Sequence, residues 1–167
     1  MEIINAVVGI IQLVIAIILA VVALYIGFSV LGKITKGIDE EKEIARGNTA
    51  VGILVASVFV AIGIVVQSGV AGISVGISQA INAGLTSSLG ITIIVVSIVQ
   101  LILGIVLAIV AIYLALNILD KLTKEIDEFA ELKKGNVAVA LEMAGVIITV
   151  AIIIQSGVMG ITAALIG

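Results

Sequence analysis

All eight Lys and Arg residues of this chain fall into two short segments: Lys33, Lys36, Lys42 and Arg46 in the first, Lys121, Lys124, Lys133 and Lys134 in the second. Nine of the eleven acids lie in the same two segments, and only Glu2 and Glu142 stand outside them. Everything else is a set of long apolar runs, and each run has to be placed with respect to a bilayer. Residues 3–32 carry no charge; as helix they measure about 45 Å, against a hydrocarbon core of about 30 Å. The uncharged run 47–119 accommodates either two spans, joined by a re-entrant or interfacial connection, or three. Three spans would put the second basic segment across the membrane from the first, against the rule that Lys and Arg in short loops stay on the cytoplasmic side; two keep both segments together. The reading adopted is two, with residues 70–88 left as interfacial, re-entrant or an extension of the second span. Residues 135–167 supply the fourth span. Both termini are then expected outside, in an inner, cytoplasmic membrane, with loops 33–46 and 120–134 inside and open to a cytoplasmic protein partner. No basic segment precedes the first apolar run, which reads as a retained helix and not a cleaved signal.

Composition agrees, with 62% hydrophobic and 11% charged residues against roughly 45–50% and about 25% in soluble domains. The chain has no Cys, His, Pro or Trp. Thiol chemistry, imidazole acid–base catalysis, Cys- or His-ligated zinc, iron–sulfur clusters and haem therefore lack their ligands. No phosphate-binding glycine loop and no paired carboxylates occur within the spans. No catalytic residues, cofactor or metal are expected, and the chain does not read as an enzyme. Aromatics at 3% give no stacking platform for nucleic acid.

The two charged segments are copies of one another. Shifted by 88 residues, Lys33-Ile34-Thr35-Lys36-Gly37-Ile38-Asp39-Glu40 overlies Lys121-Leu122-Thr123-Lys124-Glu125-Ile126-Asp127-Glu128, and 33 of the 79 aligned positions in 1–79 and 89–167 are identical without a gap. The matches include Gln12 with Gln100, Tyr25 with Tyr113 and Glu43 with Glu131, so apolar composition alone does not account for them. The chain is a tandem duplication of span, charged loop and span, 1–79 and 89–167, joined at 80–88. An even number of spans per unit makes the repeats parallel, related by an axis along the membrane normal. The expected fold is an all-α integral membrane protein with four transmembrane helices and short interfacial helices in the loops.

Glu43-Ile44-Ala45-Arg46-Gly47-Asn48-Thr49-Ala50 and Glu131-Leu132-Lys133-Lys134-Gly135-Asn136-Val137-Ala138 carry a family resemblance. Their acidic-aliphatic-x-basic-Gly-Asn-x-Ala pattern resembles the duplicated membrane proteins grouped as domain of unknown function 350. The resemblance covers most of both repeats. It implies a polytopic inner-membrane protein without an established reaction. That family often has proline after the threonine matching Thr35 and Thr123, where this chain has Lys36 and Lys124.

Chemistry at the repeated positions is mostly that of helix ends and packing. Gly47 and Gly135 suit the left-handed position that closes a loop helix, and Asn48 and Asn136 suit the cap of the next; the alternative is an anion or partner site at two helix N-termini. The stripe Leu122, Ile126, Phe129 and Leu132, with Ile34, Ile38 and Ile44 in the first repeat, predicts loop helices lying at the interface. Ser68, Gly72, Gly76, Ala80, Gly84 and Ser88 recur every fourth residue, echoed by Ser156, Gly160 and Ala164. Shorter pairs include Gly52/Ala56 and Ala140/Ala144. Such residues let helix backbones approach closely in lipid. The long stripe extends past what one span needs, so it is expected to face a neighbouring subunit in a homo-oligomer or to lie in the outer interface.

Polar groups inside the spans are few. Gln12, Gln100, Gln67 and Gln155, the last two followed by Ser68 and Ser156, are expected to share one outer depth zone, bonding helix to helix or ringing a pore mouth. Glu142 is the sole charge within a predicted span, and an intramembrane carboxylate is by default a functional candidate. With Tyr113 and Asn117 as bonding partners it makes a candidate ion or proton site, although its repeat equivalent is Leu54. Two functions follow. One is a membrane structural or scaffold protein that self-associates through small-residue faces. The other is an oligomeric proton or cation channel or transporter using Glu142 and the amides.

Overall fold

A computed structural model of the protein describes residues 2–35, 37–123 and 126–166. Its order is α1 (Glu2–Ile34), α2 (Glu40–Ala45), α3 (Thr49–Ala83), α4 (Ser88–Leu122), α5 (Glu128–Lys133) and α6 (Val137–Ile166). Four of these helices are long and apolar enough to cross a membrane, as the duplicated pattern of runs and loops predicts. A second-repeat helix follows each first-repeat one at the same offset: α4 repeats α1, α5 repeats α2 and α6 repeats α3.

Residues 70–83 are neither re-entrant nor a separate interfacial helix. They continue α3, which with 35 residues measures about 52 Å, well beyond the hydrocarbon thickness. The chain reverses at Gly84, whose φ of 88° suits glycine. Ser87 then caps α4, its Oγ accepting from the Gly90 amide at 3.0 Å. The junction is thus a tight turn between two equally long helices.

That hairpin corrects the expectation for the small-residue stripe. Ser68, Gly72, Gly76 and Ala80 are buried within the chain, and at Gly76 and Ala80 the neighbour is its own α4. A Cβ added at Gly69 would overlap Leu101, whose Cβ lies 3.3 Å away, and one at Gly76 would sit 3.0 Å from the Ser97 Cβ. The stripe runs past one bilayer thickness because α4 runs back along it for the same distance.

Around this hairpin, α3 and α6 form the central pair, α4 lies against both, and α1 packs on α3. Gly27 lets α1 approach Ile62, and Phe28 meets Phe59 with ring centroids 6.0 Å apart. The N-terminal half of α1 is loosely packed among the described residues, with Ile10, Leu13 and Ile18 more than half exposed. The core is aliphatic, with Val51, Leu54, Ala61, Val65, Ala140, Met143, Ile147 and Ala151 in one cluster.

Each loop helix has only six residues and is not the longer interfacial stripe expected. Phe129, Leu132 and Ile38 are drawn into the core, while Ile126 and Ile44 remain exposed; the side chains of Leu122 and Ile34 lie outside those described. Thr35 and Thr123 end the preceding spans by turning their hydroxyls onto the Leu31 and Leu119 carbonyls, at 2.9 and 2.8 Å. Asp39 and Asp127 restart the chain as caps, accepting from the Lys42 and Ala130 amides at 3.1 and 3.0 Å.

Candidate functional site

The Gly-Asn corners form as their sequence predicts. Gly47 and Gly135 take φ of 81° and 83°. The Asn48 and Asn136 amides donate to the Glu43 and Glu131 carbonyls at 2.9 and 3.0 Å, while Gly47 and Gly135 donate to Ile44 and Leu132 at 2.9 and 3.0 Å. That pair of bonds is a Schellman closure. Asn48 Oδ1 then accepts from the Val51 amide at 3.2 Å, and Asn136 Oδ1 from Ala138 and Val139 at 3.1 and 3.4 Å. Each Asn also donates to the preceding acid, Glu43 at 3.0 Å or Glu131 at 2.8 Å.

The two corners differ in their contacts across the repeats. Asn48 Nδ2 also donates to the Leu132 carbonyl at 2.9 Å, 84 residues away. The first repeat's cap thereby adds a second bond to an end carbonyl of the second repeat's loop helix, beside that from Gly135, and ties both charged loops together at one end of the bundle. Asn136 makes no matching bond among the described residues. Lys134 pairs with Glu131 at 2.6 Å. The Asn136 amide, and after it the Lys134 ammonium, hold the Glu131 carboxyl below its ordinary value, and the bond to Glu131 raises the Lys134 ammonium in turn.

Behind each corner lies a buried carboxylate that residue spacing did not single out. Glu40 and Glu128 are 7% and 1% exposed and accept from the Thr35 and Thr123 hydroxyls. The signal was present as a Thr followed five residues later by Glu inside the best-matched octapeptide of both repeats. Burial pushes the Glu128 carboxyl up, a bond from its own backbone opposes this, and the nearby Asp120 and Glu142 carboxylates add to the rise. In the first repeat Gly32 replaces Asp120, facing Glu40 Oε2 at 3.5 Å from where a Cβ would stand. A hollow lined by Asp120, Asp127 and Lys133 mixes both signs of charge, and among the described residues no group of acids is arranged to hold a metal ion.

The intramembrane polar residues are dispersed. Gln100 is buried and donates to the Val158 carbonyl of α6 at 3.1 Å. Gln12 and Gln155 are half-buried and Gln67 is exposed. Ser68 and Ser156 turn their hydroxyls onto their own helices, at 2.8 Å to Val65 and 3.1 Å to Ile152. Asn117 donates to the Tyr113 carbonyl at 2.8 Å. Glu142 is exposed, and no hydrogen bond joins it to Tyr113 or Asn117 among the described residues.

Comparing the two central helices position by position exposes a feature that sequence reading missed. On α3, Leu54, Ser57, Ala61, Val65, Ser68 and Gly72 form one face, and all are buried. Their equivalents on α6, Glu142, Gly145, Thr149, Ile153, Ser156 and Gly160, form the same face, and all are exposed. A Cβ added at Gly145, Gly157 or Gly160 would meet nothing within 4 Å. The side chain of Ala164, which would extend this face, lies outside those described.

These features define a class: a multi-pass helical membrane protein built from two parallel repeats, each a pair of long helices around a capped, charged loop. The chain belongs to the family described as Domain of Unknown Function (DUF350), whose model matches residues 5–107 and again 94–166. No curated protein and no solved structure matches it.

Proposed function

We propose that the protein is a non-enzymatic scaffold of the cytoplasmic membrane that self-associates through small-residue helix faces, with both charged loops on the cytoplasmic side. The observation that carries this reading is the open face of α6. Gly145, Ser156, Gly157 and Gly160 leave a shallow backbone-lined strip, while the equivalent strip of α3 is fully packed. In lipid the gain from covering such a strip comes from close approach and dispersion, which small residues permit. The alternative, a conduction path through Glu142 and the amides, draws less from the protomer, where those groups occupy separate faces.

The test is the native mass of the protein in mild detergent and in lipid nanodiscs. A multi-chain species that shrinks on Gly160→Leu supports the reading, since the added side chain has open space within one chain. A single-chain mass for the wild type overturns it. So does a proton or cation flux in liposomes that Glu142→Gln abolishes.

A further inference from the structure

The two repeats bury faces that overlap at one seam and differ on either side of it. Away from its open face, α6 buries Ala140, Ala144, Ile147 and Ala151. The equivalents on α3 are Gly52, Ala56, Phe59 and Gly63; Ala56, Phe59 and Gly63 are exposed, and Gly52 and Gly63 have nothing within 4 Å of an added Cβ. Val51 and Val55 and their equivalents Val139 and Met143 are buried in both repeats, but on the two sides of that shared seam each repeat buries the flank that the other leaves more open. Two copies of one unit joined by a two-fold axis would bury the same face on both sides; unlike faces are the mark of a head-to-tail contact. The first repeat has used one half of a complementary pair and the second repeat the other, so the chain ends in two unused and mutually complementary surfaces.

We propose that the open α6 face binds the first repeat of a second copy of this chain, reproducing between copies the interface that joins the repeats within one. This rests on the self-association proposed above and names its faces. The partner's α3 would bring Ala56, Phe59 and Gly63 where α6 brings Ala144, Ile147 and Ala151 inside the chain. The partner's α1 would take the place that α4 takes on α3. Within the chain Leu101 of α4 covers Gly69; the corresponding pair is Leu13 on the loosely packed outer half of α1 and Gly157 on the open face of α6. Ser97, which seats Gly76, corresponds to Gly9, which has nothing near its Cβ position. The strip of α6 and the stretch 9–13 of α1 are therefore open, while Phe59 of the first-repeat face already rests on Phe28 at its edge. At the loop end Glu142 replaces the buried Leu54, so the strip from Gly145 to Gly160 carries the contact and the carboxylate stays at its rim. Because the joined faces differ, each copy keeps one of each free, and growth ends only when a ring closes.

The chain has no cysteine of its own, so introduced pairs can be read cleanly. Copies carrying Leu13→Cys and copies carrying Gly157→Cys, under different tags, are mixed in lipid and oxidised. A disulfide between the two tags is expected, matching the Leu101→Cys/Gly69→Cys pair that should close inside one chain. Ile15→Cys should not cross-link, since its equivalent Leu103 faces away from the protein at 55% exposure. Ala56→Leu and Gly157→Leu should each reduce the native mass to one chain, and an equimolar mixture of the two should recover a two-chain species and nothing larger. If Ala56→Leu alone keeps the wild-type mass, or no disulfide joins the two tags, the head-to-tail contact falls while self-association stands. A monomeric wild type removes both.

Discussion

At the scale of residues, the two asparagines at the corners separate a local role from a long-range one. Both cap their helices, and losing a cap costs roughly 1 kcal/mol. Asn48, unlike Asn136, also donates to the Leu132 carbonyl across 84 residues of chain, and an intramolecular hydrogen bond adds about 1 kcal/mol. Asn48→Ala is therefore expected to destabilise the detergent-solubilised protein by about twice as much as Asn136→Ala, read from midpoints of chemical unfolding; equal losses would show that the crossing bond contributes nothing. The capping role follows from Gly-Asn after an acidic helix and was legible in the sequence. The crossing bond was not, because it depends on how the two loops abut, and both corners spell the same residues. Gly90 is a second instance. A Cβ there would overlap the Gly84 carbonyl oxygen and lie 3.2 Å from that of Ala80. Backbone cannot move aside as a side-chain tip can. Gly90→Ala should accordingly cost about 1–3 kcal/mol, the usual range for overpacking, in the same unfolding measurement, despite the gain in helix propensity.

Among the elements, α5 shows what a charged loop can conceal. Its acids and lysines read as a solvated strip, yet Glu128 is 1% exposed, with Phe129 and Leu132 beside it. Because the folded protein holds the Glu128 carboxyl above its ordinary value, the native state binds this proton more tightly than the unfolded chain does. Stability from this site is present at acid pH and is lost as pH rises from the unfolded value through the folded one. Glu131 has the opposite sign: its lowered value stabilises the fold above the ordinary carboxyl range and is lost on acidification. Glu128→Gln keeps an oxygen to accept from Thr123 and removes the charge. Melting temperature followed from pH 4 to pH 8 should rise for this variant relative to wild type toward the alkaline side; a constant difference would mean that the carboxyl is not strained by burial. The long helices were legible as apolar runs, and their packing was less so. The stripe from Ser68 to Ser88 names a close-contact surface without naming what contacts it, and only the tight turn at Gly84 makes α4 the neighbour.

For the whole molecule, the duplication carries the topology, and the structure gives it a physical check. Asn48 bonded to Leu132, and Gly37 facing Lys133 Nζ at 3.8 Å from a Cβ position, place the charged loops side by side at one end of the bundle, which supports the proposal that both lie on one side of the membrane. An odd number of crossings between them would pull that contact apart. The basic residues in both loops favour the cytoplasmic side. The α3–α4 turn then lies at the other face. Helices of 35 residues, about 52 Å long, must carry it several ångströms clear of a core of about 30 Å even when tilted. Single cysteines make the arrangement testable. In intact cells Thr86→Cys in the turn should react quickly with an impermeant thiol reagent, whereas Lys42→Cys and Lys133→Cys should both react only after permeabilisation. If both loop positions label and the turn does not, the orientation is inverted and the fold survives. If Lys42→Cys and Lys133→Cys differ from each other, the loops lie on opposite sides, and the packed four-helix arrangement fails with them.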